Sequence, residues 1–262
     1  MAATGLVAPQ RTRLRVLRLR ALIVVGSLLA WQAIALSGLL FRDVVPGLGA
    51  IALAVWRLLG TGDFYANLAV TLSEVAAALL IGGVAGLVVG LLLGANRVLA
   101  RAYEPFVYYL GPTPKIIFFP IMIMWFGVGS GSKVAMGALS CFFPIAISIA
   151  SGMRQIEPVL IRVGRSFRAT PWQMTRKIYL PAMRQPIVNG LRLGLGIAMI
   201  GTLLAETKLS NKGLGYLIIQ AYSLFDMPKM YALLIVLFVV AIGANALIGR
   251  LAPARQARKA RE

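Results

Sequence analysis

The chain has 262 residues, 59% of them hydrophobic, and a formal net charge of +19. Soluble domains are only about 45–50% apolar, and here the basic residues sit at the ends of apolar runs, as topology signals do. The composition therefore predicts an all-α polytopic membrane protein and excludes a soluble domain and a nucleic-acid binder.

One cysteine, Cys141, and no histidine leave no intrachain disulfide, no cysteine-cluster metal site and no imidazole base. The eight acidic residues are dispersed, with no close carboxylate pair. An integral-membrane enzyme is disfavoured on both counts.

Residues 1–20 form a basic arm with five arginines (Arg11, Arg13, Arg15, Arg18, Arg20) and no acid. The next 21 residues, 21–41, are free of charge. That length suits a span of ~20 residues and exceeds the roughly 7–15 of a signal-peptide core. Residues 42–66 are mixed, and the apolar stretch 51–59, interrupted by Arg57, is too short to span and is assigned to the interface.

A second span is predicted over 75–94, just after Glu74. Gly82, Gly86, Gly90 and Gly94 fall every four residues on one of its faces, where small side chains admit another helix, from this chain or from another subunit. The third span, 116–128, follows Pro112-Thr113-Pro114 and carries Pro120 and Trp125. An internal proline removes a backbone hydrogen bond, which a bilayer tolerates only against protein or a water-filled cavity. The turn before Lys133 lacks the spacing of a phosphate loop. Spans over 134–153, with Pro144 near its middle, over 193–205, ending at Glu206, and over 230–249 complete six. The domain 21–249 is followed by a basic tail, 250–262.

The loop 154–192 holds eight basic residues (Arg154, Arg162, Arg165, Arg168, Arg176, Lys177, Arg184, Arg192) against one acid, Glu157. Glu157-Pro158 and Thr170-Pro171 each read as a cap followed by proline in a first turn, where the missing N–H costs nothing. Helices are predicted over 158–167 and 171–179, closed by Leu180-Pro181. With six spans both termini share one side, which carries 21 of the 27 basic residues: five in the arm, three in the second loop (Arg97, Arg101, Lys115), eight in the long loop and five in the tail. The positive-inside rule places that side in the cytoplasm.

The segment from Arg162 to Pro181 resembles the coupling loop of binding-protein-dependent ABC importer permeases, whose signature is Glu-Ala-Ala, three residues, Gly, nine residues, Ile-x-Leu-Pro. Ile178-Tyr179-Leu180-Pro181 matches its end, whereas Arg168 stands at the glycine position and Arg162-Val163-Gly164 at Glu-Ala-Ala. Pro112-Thr113-Pro114, Phe119-Pro120, Trp125-Phe126-Gly127-Val128-Gly129 and Ser132-Lys133 are similar to the nitrate/sulfonate/taurine subclass. So are Ala169-Thr170-Pro171-Trp172-Gln173, Leu204-Ala205-Glu206 and Gly213-Leu214-Gly215-Tyr216.

The resemblance implies a type I ABC importer permease fold with a cytoplasmic coupling helix, in a bacterial inner membrane. It implies a permease homodimer, two cytoplasmic ATPase subunits that bind ATP and magnesium, and an extracytoplasmic binding protein, with no cofactor or metal on this chain. The solute is expected to be small and anionic, although neutral pyrimidines also fit the subclass.

ATPase contact falls to Thr170, Pro171, Trp172, Gln173, Met174, Arg176, Lys177, Ile178, Leu180 and Pro181. Trp172 and Met174 are the expected apolar anchors, although Trp172 also suits a lipid-headgroup belt. Phe118, Phe119, Met122, Trp125, Phe142, Phe143, Met199 and Thr202 flank helix breaks or glycines and are the pathway candidates, each open to a plain packing role. Glu206 and Lys208 either meet the binding protein or are solvated. A channel or ion-driven secondary transporter is the alternative, but the predicted spans carry none of the ionisable residues such proteins use.

Overall fold

The computed structural model describes residues 10–38 and 44–250. Phe41, Arg42, Asp43 and the tail from residue 251 lie outside the described residues.

Among the described residues every regular element is helical. They are α1 (Gln10–Ser37), α2 (Leu48–Leu59), α3 (Gly62–Ala95) and α4 (Arg97–Leu110), then a 3-10 turn (Lys115–Phe118) leading into α5 (Phe119–Phe126) and α6 (Ser130–Arg154). The long loop folds as α7 (Pro158–Ser166) and α8 (Pro171–Met174), continued by a π turn (Thr175–Tyr179) into α9 (Leu180–Ala182). Then come α10 (Arg184–Lys208), α11 (Leu214–Ser223) and α12 (Met227–Gly249). Five helices are long and apolar enough to cross a membrane, and the pair α4 and α5, bent by 92° at its break, makes a sixth.

The helices outrun the charge-free runs. α1 begins inside the basic arm, and its membrane-compatible part starts at Arg15. α3 takes in Glu74, and α10 takes in Arg192, whose Nε donates to Asn245 Oδ1 of α12 at 3.1 Å. A charge ends an apolar run without ending a helix, because arginine and glutamate are both good helix formers.

The core is the triple contact of α3, α6 and α10. A Cβ added at Gly86 would come within 2.9 Å of the Phe142 carbonyl, and one at Gly90 within 2.6 Å of Ile149 Cβ. Gly82 and Gly94 are equally tight against Cys141 and Met153. All four glycines of the repeat therefore face α6 of the same chain, which settles their role as internal packing. α10 closes on the other flank of α6 in the same way: Gly201 lies against Ser140, Gly194 against Ile145, and Gly152 of α6 against Pro186. The interior they enclose includes Cys141, Ile145, Ile149, Met153, Met183 and Ala198.

Gly90→Val is expected to cost about 1–3 kcal/mol by overpacking, read as a lowered thermal midpoint of the purified protein. Gly243→Val, where a Cβ meets nothing within 4 Å, is expected to leave the midpoint unchanged.

Candidate functional site

The loop helices are built from local rules. Thr170 and Gln173 form a reciprocal capping box at the start of α8: Gln173 N–H donates to Thr170 Oγ1 at 3.3 Å, and Thr170 N–H donates to Gln173 Oε1 at 2.9 Å. Glu157 precedes Pro158 without a side-chain cap bond, so this start rests on proline alone. The π turn 175–179 leads into Leu180-Pro181. Pro181 has no N–H to return to the Lys177 carbonyl, and the widened turn absorbs that loss.

α7 and α8 lock at Gly164. A Cβ there would collide with Ile178 Cδ1 and Met174 Sδ. α7 ends in a Schellman motif: Ala169 N–H donates to the Gly164 carbonyl at 3.0 Å and Arg168 N–H to the Arg165 carbonyl at 2.9 Å. Arg168, at the signature's glycine position, has φ +51°. The motif requires a left-handed residue there, and in this chain an arginine adopts it.

Of the ten residues expected at the docking surface, Trp172 is 69% exposed, with Thr170, Pro171, Gln173, Arg176, Lys177 and Pro181 also at the surface. Ile178 and Leu180 are half-buried. Met174 is turned inward against Gly164, so it stiffens the loop and is not available as an anchor. Phe167, absent from that set, is 82% exposed just before the Arg168 turn. Its signal in the sequence was an apolar residue at the end of a basic helix. At the base of the loop, Arg154 grips Glu104 of α4 through two bonds, 2.7 and 2.9 Å, tying the end of α6 to α4.

The far end of the bundle holds a polar cluster that the spacing of acids in sequence does not suggest. Glu206 is 1% exposed, not solvated. Its Oε1 accepts from Thr71 Oγ1 at 2.7 Å and its Oε2 accepts from Gly215 N–H at 2.6 Å. Leu214 N–H donates to Thr71 Oγ1 at 2.8 Å and Gly213 N–H donates to Asn67 Oδ1 at 2.7 Å. The start of α11 is thus capped by side chains of α3 and α10. Gly213 has φ +102°, and a Cβ at either Gly213 or Gly215 would run into Glu206.

Glu74 is buried beside Glu206, so the two carboxyls, 132 positions apart in sequence, form a close pair. Lys133 is buried beside them and donates to the carbonyls of Val128 and Gly129. These corrections follow from helix packing, which brings together residues that the linear sequence keeps apart.

The pathway candidates divide. Phe119 is buried with Met136 and Ala205, and Met122 packs half-buried on the same cluster. Met199 is buried with Val75 and Leu195, and Thr202 is fully buried against Gly137. Phe118 and Trp125 are exposed. Phe142 and Phe143 are half-buried, in edge-to-face contact at 5.0 Å.

Arg168→Gly is expected to remove about 1 kcal/mol of left-handed strain and raise the thermal midpoint, whereas Arg168→Ala is not. Thr71→Val leaves the Leu214 N–H without its acceptor, a loss of about 1–3 kcal/mol, and should accelerate amide exchange at Leu214 and Gly215.

Residues 82–256, more than half of the chain, match the family described as the binding-protein-dependent transport system inner membrane component. The chain is 32% identical over 210 residues to a putative aliphatic sulfonates transport permease of Bacillus subtilis, covering 80% of this chain and 76% of that protein. It is 29% identical over 191 residues to the taurine transport system permease of Escherichia coli, covering 71% and 70%. Its fold is that of a chain in the MetNI methionine ABC transporter, at TM-score 0.60 and 21% identity, over 79% of this chain and 98% of that one. The chain therefore belongs to the binding-protein-dependent transport system inner membrane components, as the permease subunit of an ABC importer and not an enzyme.

Proposed function

We propose that this permease works as a homodimer carrying a small anionic solute, with two ATPase subunits seated on α7–α9 and both termini in the cytoplasm. The observation that carries the docking assignment is the exposed pair Phe167 and Trp172, flanked by Arg176 and Lys177, on a loop made rigid by its capping box and the Gly164 lock. Exposed aromatics ringed by charge are what a partner's apolar groove buries, and a rigid element transmits a push that a floppy loop would absorb.

The basic loop supports the cytoplasmic side for this surface, because 21 of the 27 Lys and Arg fall to that side by sequence and moving Lys115 out of the sum leaves the bias intact. The sulfonate and taurine permeases among the relatives support an anionic solute. The ATP and magnesium belong to the partner subunits, and the energy enters this chain as motion.

Affinity purification from native membranes tests the assembly. An ATP-hydrolysing subunit recovered in equal amount, together with a binding protein whose ligand is a sulfonate, nitrate or carboxylate, is the expected outcome. A chain that comes alone and transports without ATP overturns it in favour of a secondary transporter or channel, and a neutral pyrimidine as ligand overturns the anionic solute alone.

Phe167→Ala and Trp172→Ala are each expected to weaken ATPase retention by about 2 kcal/mol, roughly thirtyfold, without loss of membrane insertion. Phe225→Ala, an exposed aromatic at the opposite end, is expected to leave retention unchanged.

A further inference from the structure

The third span runs antiparallel along α6, and its contacts fix its depth. Glu104 meets Arg154, Gly111 lies by Ile147, the Lys115 ammonium sits 5.0 Å from the centre of the Phe143 ring, and Phe119 packs on Met136. Phe143 is the fourteenth of the 25 residues of α6. At 1.5 Å per residue this places Lys115 roughly 20 Å from one end of the helix and about 17 Å from the other. The charge count puts Lys115 in a loop; the structure puts it beside the middle of α6, a helix long and apolar enough to span.

The backbone around it is broken. Between α4 and the 3-10 turn lie Gly111, Pro112, Thr113 and Pro114, and the two halves of the span meet at 92°. Pro112 and Pro114 are exposed on this protomer. The carbonyls of Leu110, Gly111, Thr113 and Pro114 are bonded within the break, to Thr113 N–H, Lys115 and Ile117 N–H, but an ammonium at this depth does not face lipid. It faces protein or water.

Lys115 Nζ donates to the carbonyls of Gly111 and Thr113, and an ammonium has three donors. A second feature begins beside it. Ile147, which lies against Gly111, also walls a groove of about 460 Å³ that runs along α6 and α10 toward the loop helices. Its other walls include Ser148, Ser151, Gln155 and Asn189, an uncommonly polar set for the flank of two membrane helices.

We propose that Lys115 is the mid-membrane anion contact of the translocation path, and that the Ser148–Ser151–Asn189 groove is the wet half through which the solute leaves toward the loop side. A lysine held at mid-depth by two carbonyls, with its third proton unclaimed, offers a carboxylate, sulfonate or nitrate a charge-assisted bond without first giving up a counter-ion. The assignment rests on the permease reading for its purpose but not for its test.

The test uses native membrane vesicles carrying Ile147→Cys, reacted with anionic sulfonatoethyl and cationic trimethylammonioethyl methanethiosulfonate and read by peptide mass spectrometry. Native Cys141, fully buried, reports any unfolding through its own labelling. The anionic reagent should be favoured, relative to the two rates with a free thiol, and Lys115→Gln should cut that preference about fivefold. Gln retains an N–H donor for the Gly111 carbonyl, so the change isolates the charge. Lys115→Arg should keep the preference.

No reaction at the thiol introduced by Ile147→Cys, no anionic preference, a preference unchanged by Lys115→Gln, or equal loss in the Gln and Arg variants each overturns the proposal. Recovery of the ATPase subunit with the same vesicles reports separately on the importer reading.

Discussion

Everything in this fold depends on how closely three backbones approach. α3, α6 and α10 touch through glycine, with carbonyls and Cβ atoms of one helix where the side chain of another would be. In a bilayer there is no hydrophobic drive to press helices together, because lipid tails are as apolar as leucine; dispersion contact and interhelical bonding have to do it. Glycine maximises both. It brings the Ala78 carbonyl within reach of the Cys141 thiol and the Pro186 carbonyl within 3.0 Å of Ser148 Oγ, which donates to it.

Outside the three-helix core, α2, α11 and α12 are attached by an apolar cluster of Leu58, Phe64, Leu214, Leu217 and Leu233, and by buried polar groups. The beginning of α11 hangs on Asn67, Thr71 and Glu206, so three successive N–H groups find acceptors on two other helices. Two lysines serve a related purpose. Lys133 holds the carbonyls of the turn before α6, and Lys115 holds those of the break after α4. They differ in what surrounds them. Lys133 is buried beside two carboxyls, whereas Lys115 is half-buried with no acid in hydrogen-bond or ion-pair contact among the described residues. The first has carboxyl neighbours to balance its charge and the second has none among the described residues.

Sequence periodicity and composition were enough for the class of the fold, the six crossings and the two loop helices, because apolar run length and proline placement are local properties. The glycine repeat was legible as a face, but not which helix it met. What escaped was every feature made by distance in the chain. Glu74 and Glu206 each look like a span boundary until α3 and α10 are placed side by side. Lys115 looks like a loop charge until the third span is seen to break beside it. Met174 looks like an anchor because it neighbours Trp172, yet its place on the helix turns it to the opposite face, onto Gly164. Phe167 was hidden for the complementary reason: a lone aromatic in a basic stretch has no periodicity to announce that it is exposed.

The loop and the core are mechanically one piece. Met174 and Ile178 pack on Gly164 of α7, so α7 and α8 cannot slide independently. Tyr179 and Ile161 then lean on the buried cluster that holds Met153 and Ile156 at the end of α6 and Met183 at the start of α10. Packed interiors are stiff and yield by repacking between discrete arrangements, not by gradual compression. A displacement of Phe167 and Trp172 therefore reaches α6 and α10 together. Those two helices form the walls of the polar groove, and α6 carries Phe143, the ring beneath Lys115. On the proposed path, moving them as a pair shifts the groove and the Phe143 ring relative to the third span, and so relative to Lys115, in a single step. A permease that cannot hydrolyse ATP itself needs that property to convert a partner's motion into release of a bound solute.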